Sequence, residues 1–202
     1  MASGQGSNFA ALALAAERGE LGGRIALLLC DRPGAPVVAR AARFGIEAQC
    51  PAVGRFRTRI EDERPWLEAL RARGVEFVLL AGFMRRLHEP ILEAYAGRIL
   101  NVHPSLLPAF PGLEAVRRAF EAGVRVTGCT VHLVDSDLDA GPILGQAPVE
   151  IFDDDTVDSL QARIHAAEHR VYPATACRFA TEPWSLQGRR VIFGAAEEAS
   201  HG

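Results

Sequence analysis

Asn101 and His103 stand two apart in "RILNVHP", a short apolar run stopped by Pro104. In a strand, that spacing sends both side chains to one face, at the carboxyl end. An amide donor beside an imidazole can hold a developing oxyanion and move a proton. A structural Asn and a core His fit the same pattern. Further on, "DSDLDAGP" gathers Asp135, Asp137 and Asp139 in a loop. It lacks the oxygen ladder and closing Glu of a calcium loop. It is therefore a solvated acidic turn or the source of a carboxylate that tunes an imidazole.

Near the start, "GQGSN" (Gly4 to Asn8) joins two glycines to a helix start, where free N–H groups favour an anion. Phe9 takes the third-glycine position of the dinucleotide fingerprint, which disfavours a nicotinamide cofactor. A single terminal phosphate fits better, with a plain capped turn as the alternative. "LLAGFMRRL" runs a buried strand into Gly82, then Met84, Arg85 and Arg86. It could floor a pocket for a flat heterocycle or end a strand in snorkelling arginines. Glu168 follows Val157, Leu160 and Ile164 in three- and four-residue steps, which sets a carboxylate on an apolar helix stripe. That is costly unless the group is paired or lines a site.

These residues need a frame. "RIALLLCD", "EFVLLA" and "RILNVHP" read as buried strands, and "EAQCPAV" as a short one near an edge. Helices are expected through "NFAALALAAERGE" with Ser7 as cap, "APVVARAARFG", "TRIEDERPWLEALRARG" with a kink or restart at Pro65, "PILEAYAG" and "LEAVRRAFEAG". "TGCTVHLVD" and "ILGQAPVEI" form a late strand pair. A long helix, disturbed at Pro173, follows, and "QGRRVIF" makes a last small strand. The alternation predicts an α/β fold: a Rossmann-like, mostly parallel sheet flanked by helices, with an antiparallel strand addition in the C-terminal half. Residues 1–188 are expected to form a single catalytic domain, and 189–202 a terminal strand and tail. Ligands of such sheets bind beyond the carboxyl ends of the strands.

The 202 residues, 49% hydrophobic and 23% charged, suit one soluble domain. A net charge of -3 argues against a broad nucleic-acid surface. No apolar run is long enough for a bilayer, and no secretory leader is evident, so a cytoplasmic location is expected. The four cysteines have no metal-ligand spacing and read as reduced thiols.

In order and spacing, "GQGSN", "LLAGFMRRL", "NVHPSLLPAFPG", "VHLVDSDLDAGP" and "AEHRVYP" resemble the glycinamide ribonucleotide formyltransferase family. The resemblance covers nearly the whole chain. It implies formyl transfer from 10-formyltetrahydrofolate to the amine of glycinamide ribonucleotide in purine synthesis, by a monomer or homodimer that needs no metal. By matched positions it implies His103 as general acid/base, Asn101 as oxyanion donor and Asp139 as the carboxylate that holds His103. Gly6, Ser7, Asn8, Gly82 and Glu168 would meet the ribonucleotide. Arg59, Met84, Arg85, Arg86, Leu87, Asn101, Asp135, Ser136 and Asp137 would meet the folate.

Glu114 and Val116 stand where some members carry histidines, so no role passes to those positions. The family also begins with a strand ahead of the glycine turn, central in its sheet, whereas only Met1 and Ala2 precede Ser3 here. A formyl-folate hydrolase, a transfer-RNA formylating relative and a non-catalytic remnant are the alternatives.

Overall fold

The structure, a computed structural model, describes residues 1–194. The chain runs α1 (Ser7–Glu17), β1 (Leu28–Leu29), α2 (Pro36–Arg43), β2 (Ala48–Gln49), α3 (Arg64–Ala72), β3 (Val78–Leu80), α4 (Ile91–Ala94) and β4 (Ile99–His103). Then come α5 (Ala115–Glu121), β5 (Val126–Leu133), β6 (Ile143–Glu150), α6 (Val157–Thr181), β7 (Trp184–Gln187) and β8 (Arg190–Phe193).

The N-terminal strands pair in parallel, β1 with β2 and β3 with β4. β5 then runs antiparallel to both β4 and β6. This is the expected α/β frame with its antiparallel C-terminal addition. β8 pairs with β6 and with β7, so residue 188 falls inside a hairpin rather than between units. The part of the expected tail past residue 194 lies outside the described residues.

Alternation along β4 splits the core. Ile99 packs with Trp66, Leu67 and Ile91 of α3 and α4, on one face. Leu100 and Val102 pack with Phe9, Leu12, Leu160 and Ile164 of α1 and α6, on the other. Asn101 and His103 share the Ile99 side of the strand, at its carboxyl end.

Two local expectations are corrected. Ser7 is the first helical residue of α1, not its cap; Gly6 precedes the helix in the left-handed conformation, φ 74°, and no side chain caps it. A Cβ on Gly6 would lie 2.4 Å from Val37 Cγ2, so close packing of α1 on α2 independently demands glycine there. Pro173 does not break α6, which runs unbroken from Val157 to Thr181. The helix is capped at its start by a reciprocal Thr156–Ser159 pair. Around the proline, buried Tyr172, Ala176 and Phe179 hold it to the sheet.

Met1 to Ser3 lie between β1 and β3, parallel to each. The Ala2 N–H donates to Leu29 O (3.1 Å) and the Ala81 N–H to Met1 O (2.8 Å). The Met1 ammonium donates to Leu79 O (2.6 Å). Among the described residues, these alone join the β1–β2 pair to the six-stranded sheet. Behind Met1 a cavity of about 300 Å³ continues between the strands, lined by Phe9, Leu12, Leu27, Phe77 and Phe179. Burial there lowers the ammonium from its ordinary 8.0 to about 5.

The Val78 N–H is spent on Arg98 O, toward β4. By strand parity, the Phe77 carbonyl and Leu79 N–H therefore face the cavity. Between pH 5 and 8 the unfolded chain binds this proton and the folded chain does not, so the share of stability owed to this group rises with pH across that window. Joining an apolar strand of roughly five or six residues ahead of Met1 should raise Tm and remove that share of the pH dependence. Thermal melts of both chains at pH 5.5 and 8 check this, and equal Tm values would refute it.

Candidate active site

At the carboxyl ends of β3 and β4, the Ser3 N–H of the glycine turn donates to Gly82 O and the loop after β5 brings Asp139 to His103. The β4–β5 register sets Asn101 opposite His132 and His103 opposite Thr130. Thr130 is fully buried and orders the segment after β4: its hydroxyl donates to Ser105 O (2.7 Å) and accepts from the Leu107 N–H (3.0 Å). That segment returns Phe110 to His103. The His103 Nε2–H donates to Phe110 O at 2.9 Å. Nδ1 is then the nitrogen left for chemistry, 3.3 Å from Asp139 Oδ2. Both ring nitrogens face oxygen atoms, Phe110 O and Asp139 Oδ2.

Asp139 is held in turn. Its Oδ2 accepts from the Gly112 N–H at 2.7 Å, and its backbone sits at φ 52°, in the left-handed region. Gly141 makes the sharp return possible, because a Cβ there would lie 1.8 Å from Leu133 O. The other carboxylate oxygen, Oδ1, lies 3.7 Å from His132 Nε2. His103 and Asp139 meet directly, and His132 stands between Asn101 and Asp139.

The glycine turn meets α6. Asn8 Nδ2 donates to Glu168 Oε2 at 2.8 Å, with both residues buried. Burial, partly offset by that hydrogen bond, pushes the Glu168 carboxyl up to about 7. The Asn8 carbonyl oxygen is buried without a partner, an acceptor held ready for a ligand. Tyr172, one turn after Glu168, fixes the helix over the strand ends. Its hydroxyl lies 3.1 Å from Leu80 O and 3.0 Å from Leu100 O. Gly6, Ser7 and Gly82 sit at the same strand ends, with Gly82 O accepting from the Ser3 N–H.

The remaining expected residues divide. Met84, Leu113 and Leu138 expose large apolar side chains, and Leu113 and Leu138 border the Gly112–Asp139 contact. Arg59 and Arg86 are exposed and bridge their two segments in parallel. Asp135, Ser136 and Asp137 form an exposed turn in which Asp135 Oδ1 accepts from the Asp137 N–H. The guanidinium of Arg85 is committed to Asp31 (2.8 Å) and to Phe56 O (2.5 Å). Leu87 packs its side chain into the core beside Trp66. Leu87 can offer a ligand only main-chain groups, and the charge of Arg85 is already paired.

Sequence reasoning passed over His132. The signal was its place in "TVHLVD", a histidine inside an otherwise apolar strand just before the aspartate loop. Among the described residues, no group of three or more His, Cys, Asp or Glu could hold a metal ion.

The formyl transferase family model matches residues 1–176. A phosphoribosylglycinamide formyltransferase of Bacillus subtilis is 44% identical over 173 residues, 86% of this chain and 89% of that protein. One from Escherichia coli is 36% identical, over 88% of this chain and 84% of its own. The crystal structure of glycinamide ribonucleotide transformylase 1 from Symbiobacterium toebii superposes with a TM-score of 0.91 at 45% identity, covering 95% of this chain and 91% of that one. With this match along most of its length, the chain belongs to the formyl transferase family.

Proposed function

We propose that this protein transfers a formyl group from 10-formyltetrahydrofolate to the amine of glycinamide ribonucleotide in purine biosynthesis. The observation that carries the reading is the His103–Asp139 contact, on the strand face that also carries Asn101, together with the buried Asn8–Glu168 pair. One cluster suits acyl transfer and the other suits a polar ribonucleotide. The relatives that match over most of the chain are named for the same reaction.

The residues then have the following roles. Gly6, Ser7 and the N–H groups opening α1 hold the phosphate. Asn8, Gly82 and Glu168 hold the rest of the ribonucleotide and aim its amine. Met84, the main chain from Arg85 to Leu87, Arg59 and the Asp135–Asp137 turn take the folate, whose flat ring suits the exposed apolar side chains. The amine attacks the formyl carbon, and the C=O electron pair moves onto oxygen. Asn101 Nδ2 and the His103 Nδ1–H donate to that oxygen as charge develops. Asp139 holds the imidazolium that makes this possible. The oxygen's electron pair then re-forms the C=O as the old C–N bond breaks; His103 gives its Nδ1 proton to the leaving nitrogen and takes the attacking nitrogen's proton in its place. Among the described residues no helix is long and apolar enough to cross a membrane, and we place the protein in the cytoplasm with the small molecules it uses.

The direct test supplies both substrates and follows formylated ribonucleotide. Formate release at a comparable rate without ribonucleotide would instead make the protein a hydrolase. His103→Ala should lower kcat roughly 10²–10⁴-fold with both KM values little changed, measured by steady-state kinetics. Near-normal turnover would overturn the role of His103.

Glu168→Gln removes a carboxyl whose folded pKa is raised. The folded state favours its proton, so the cost of the native carboxylate grows as pH climbs from the ordinary 4.5 to about 7 and stays above it. The variant should therefore melt roughly 2–4 °C higher than the parent at pH 8, with little difference near pH 4.5, while KM for the ribonucleotide rises. Paired thermal melts and kinetics read both effects.

A further inference from the structure

His132 has no role in the reaction as described, yet it is 2% exposed and stands at the centre of the site. Its Nδ1 lies 2.8 Å from Leu133 O. A carbonyl only accepts, so Nδ1 carries the proton and Nε2 of the neutral ring carries a lone pair. Asn101 Nδ2 is 3.2 Å from that lone pair and donates to it.

We propose that His132 is a positioning residue for formyl transfer: its Nε2 accepts from Asn101 and so fixes which end of the Asn101 amide meets the reacting oxygen. The proposal rests on the formyl-transfer reading above. An amide has two ends of nearly equal size and opposite polarity. Turned one way, Asn101 keeps a second N–H for the oxygen on which charge develops. Turned the other way, it presents a carbonyl there and repels that charge. Geometry leaves the choice to the partner. An acceptor at Nε2 selects the productive turn, and a donor there would select the other.

The surroundings keep His132 an acceptor. Burial lowers its tendency to protonate, and His103 on β4 adds to this. Asp139 and Asp135, on the loop after β5, act in the opposite direction, as does the bond to Leu133 O. Asp139 lies between two imidazoles, with Oδ2 3.3 Å from His103 Nδ1 and Oδ1 3.7 Å from His132 Nε2. Its Oδ2 also faces the ring that works as the acid. The two histidines therefore divide the labour: His103 carries the mobile proton and His132 stays without a second one.

Three variants and one spectrum test this. His132→Leu should lower kcat about tenfold or more and leave both KM values within about twofold. His132→Gln sets an amide oxygen near the place of Nε2 and should restore most of the loss. In an Asn101→Ala background, His132→Leu should cost nothing further, because the two act as one unit. An equal loss in both backgrounds, or a folded Gln variant as slow as the Leu variant, overturns the proposal. ¹⁵N NMR of the unaltered protein should show Nδ1 protonated and Nε2 bare across about pH 6–8, and a protonated Nε2 overturns it without any activity measurement. If the unaltered protein moves no formyl group at all, the proposed function fails while the spectrum still decides the hydrogen-bond direction.

Discussion

Antiparallel pairing of β4 with β5 is the interaction on which the site depends. It sets Asn101 against His132 and His103 against Thr130 in one register. A slip of one residue would turn every one of these side chains to the opposite face. The register is held by burial, since Leu100, Val102, Val131 and Leu133 are all core residues. Packing of apolar side chains on one face thus determines the placement of polar ones on the other. Thr130 extends this order outward by pinning the segment that carries Phe110 back to His103.

The polar groups lie where burial makes each hydrogen bond decisive. An unpaired polar group in such surroundings costs far more than a mean hydrogen bond gives back. Asp139 answers this by accepting from Gly112 while facing two imidazoles. Glu168 does so by accepting from Asn8 Nδ2. Neither arrangement is cheap, as the raised carboxyl of Glu168 and the left-handed backbone of Asp139 show. Cost concentrated at the ends of strands is common where a structure prepares for a ligand.

The sheet itself is least well tied between β1 and β3. Among the described residues, Met1 to Ser3 supply the only backbone bonds between the β1–β2 pair and the rest of the sheet, and apolar side chains of both cores border the cavity behind them. The same residues floor the site: the Ser3 N–H donates to Gly82 O, and the Ser3 hydroxyl accepts from the Met84 N–H. The order of the glycine turn is therefore linked to how well the space between β1 and β3 is filled.

The sequence by itself determined most of the strands, but not β7 or the two-residue length of β1 and β2. A short apolar run stopped by proline needs no tertiary information to be read, and period-two alternation put Asn101 and His103 on one face. The apolar stripe on α6 likewise exposed Glu168 as an anomaly before any partner was known. The partner required the fold, because Asn8 lies 160 positions away in the chain. The same holds for Arg85: its type and place suited a ligand, but Asp31, far off in sequence, had claimed its charge. His132 was legible as a residue and illegible as a role, since a strand pattern does not name the residue across the ladder. Gly6 was read for its backbone freedom, whereas the tertiary structure added Val37, whose closeness leaves no space for a Cβ. Local sequence fixes what is periodic and steric along the chain. Which charges neutralise each other, and which polar atoms stay free for a substrate, is decided only when distant segments pack.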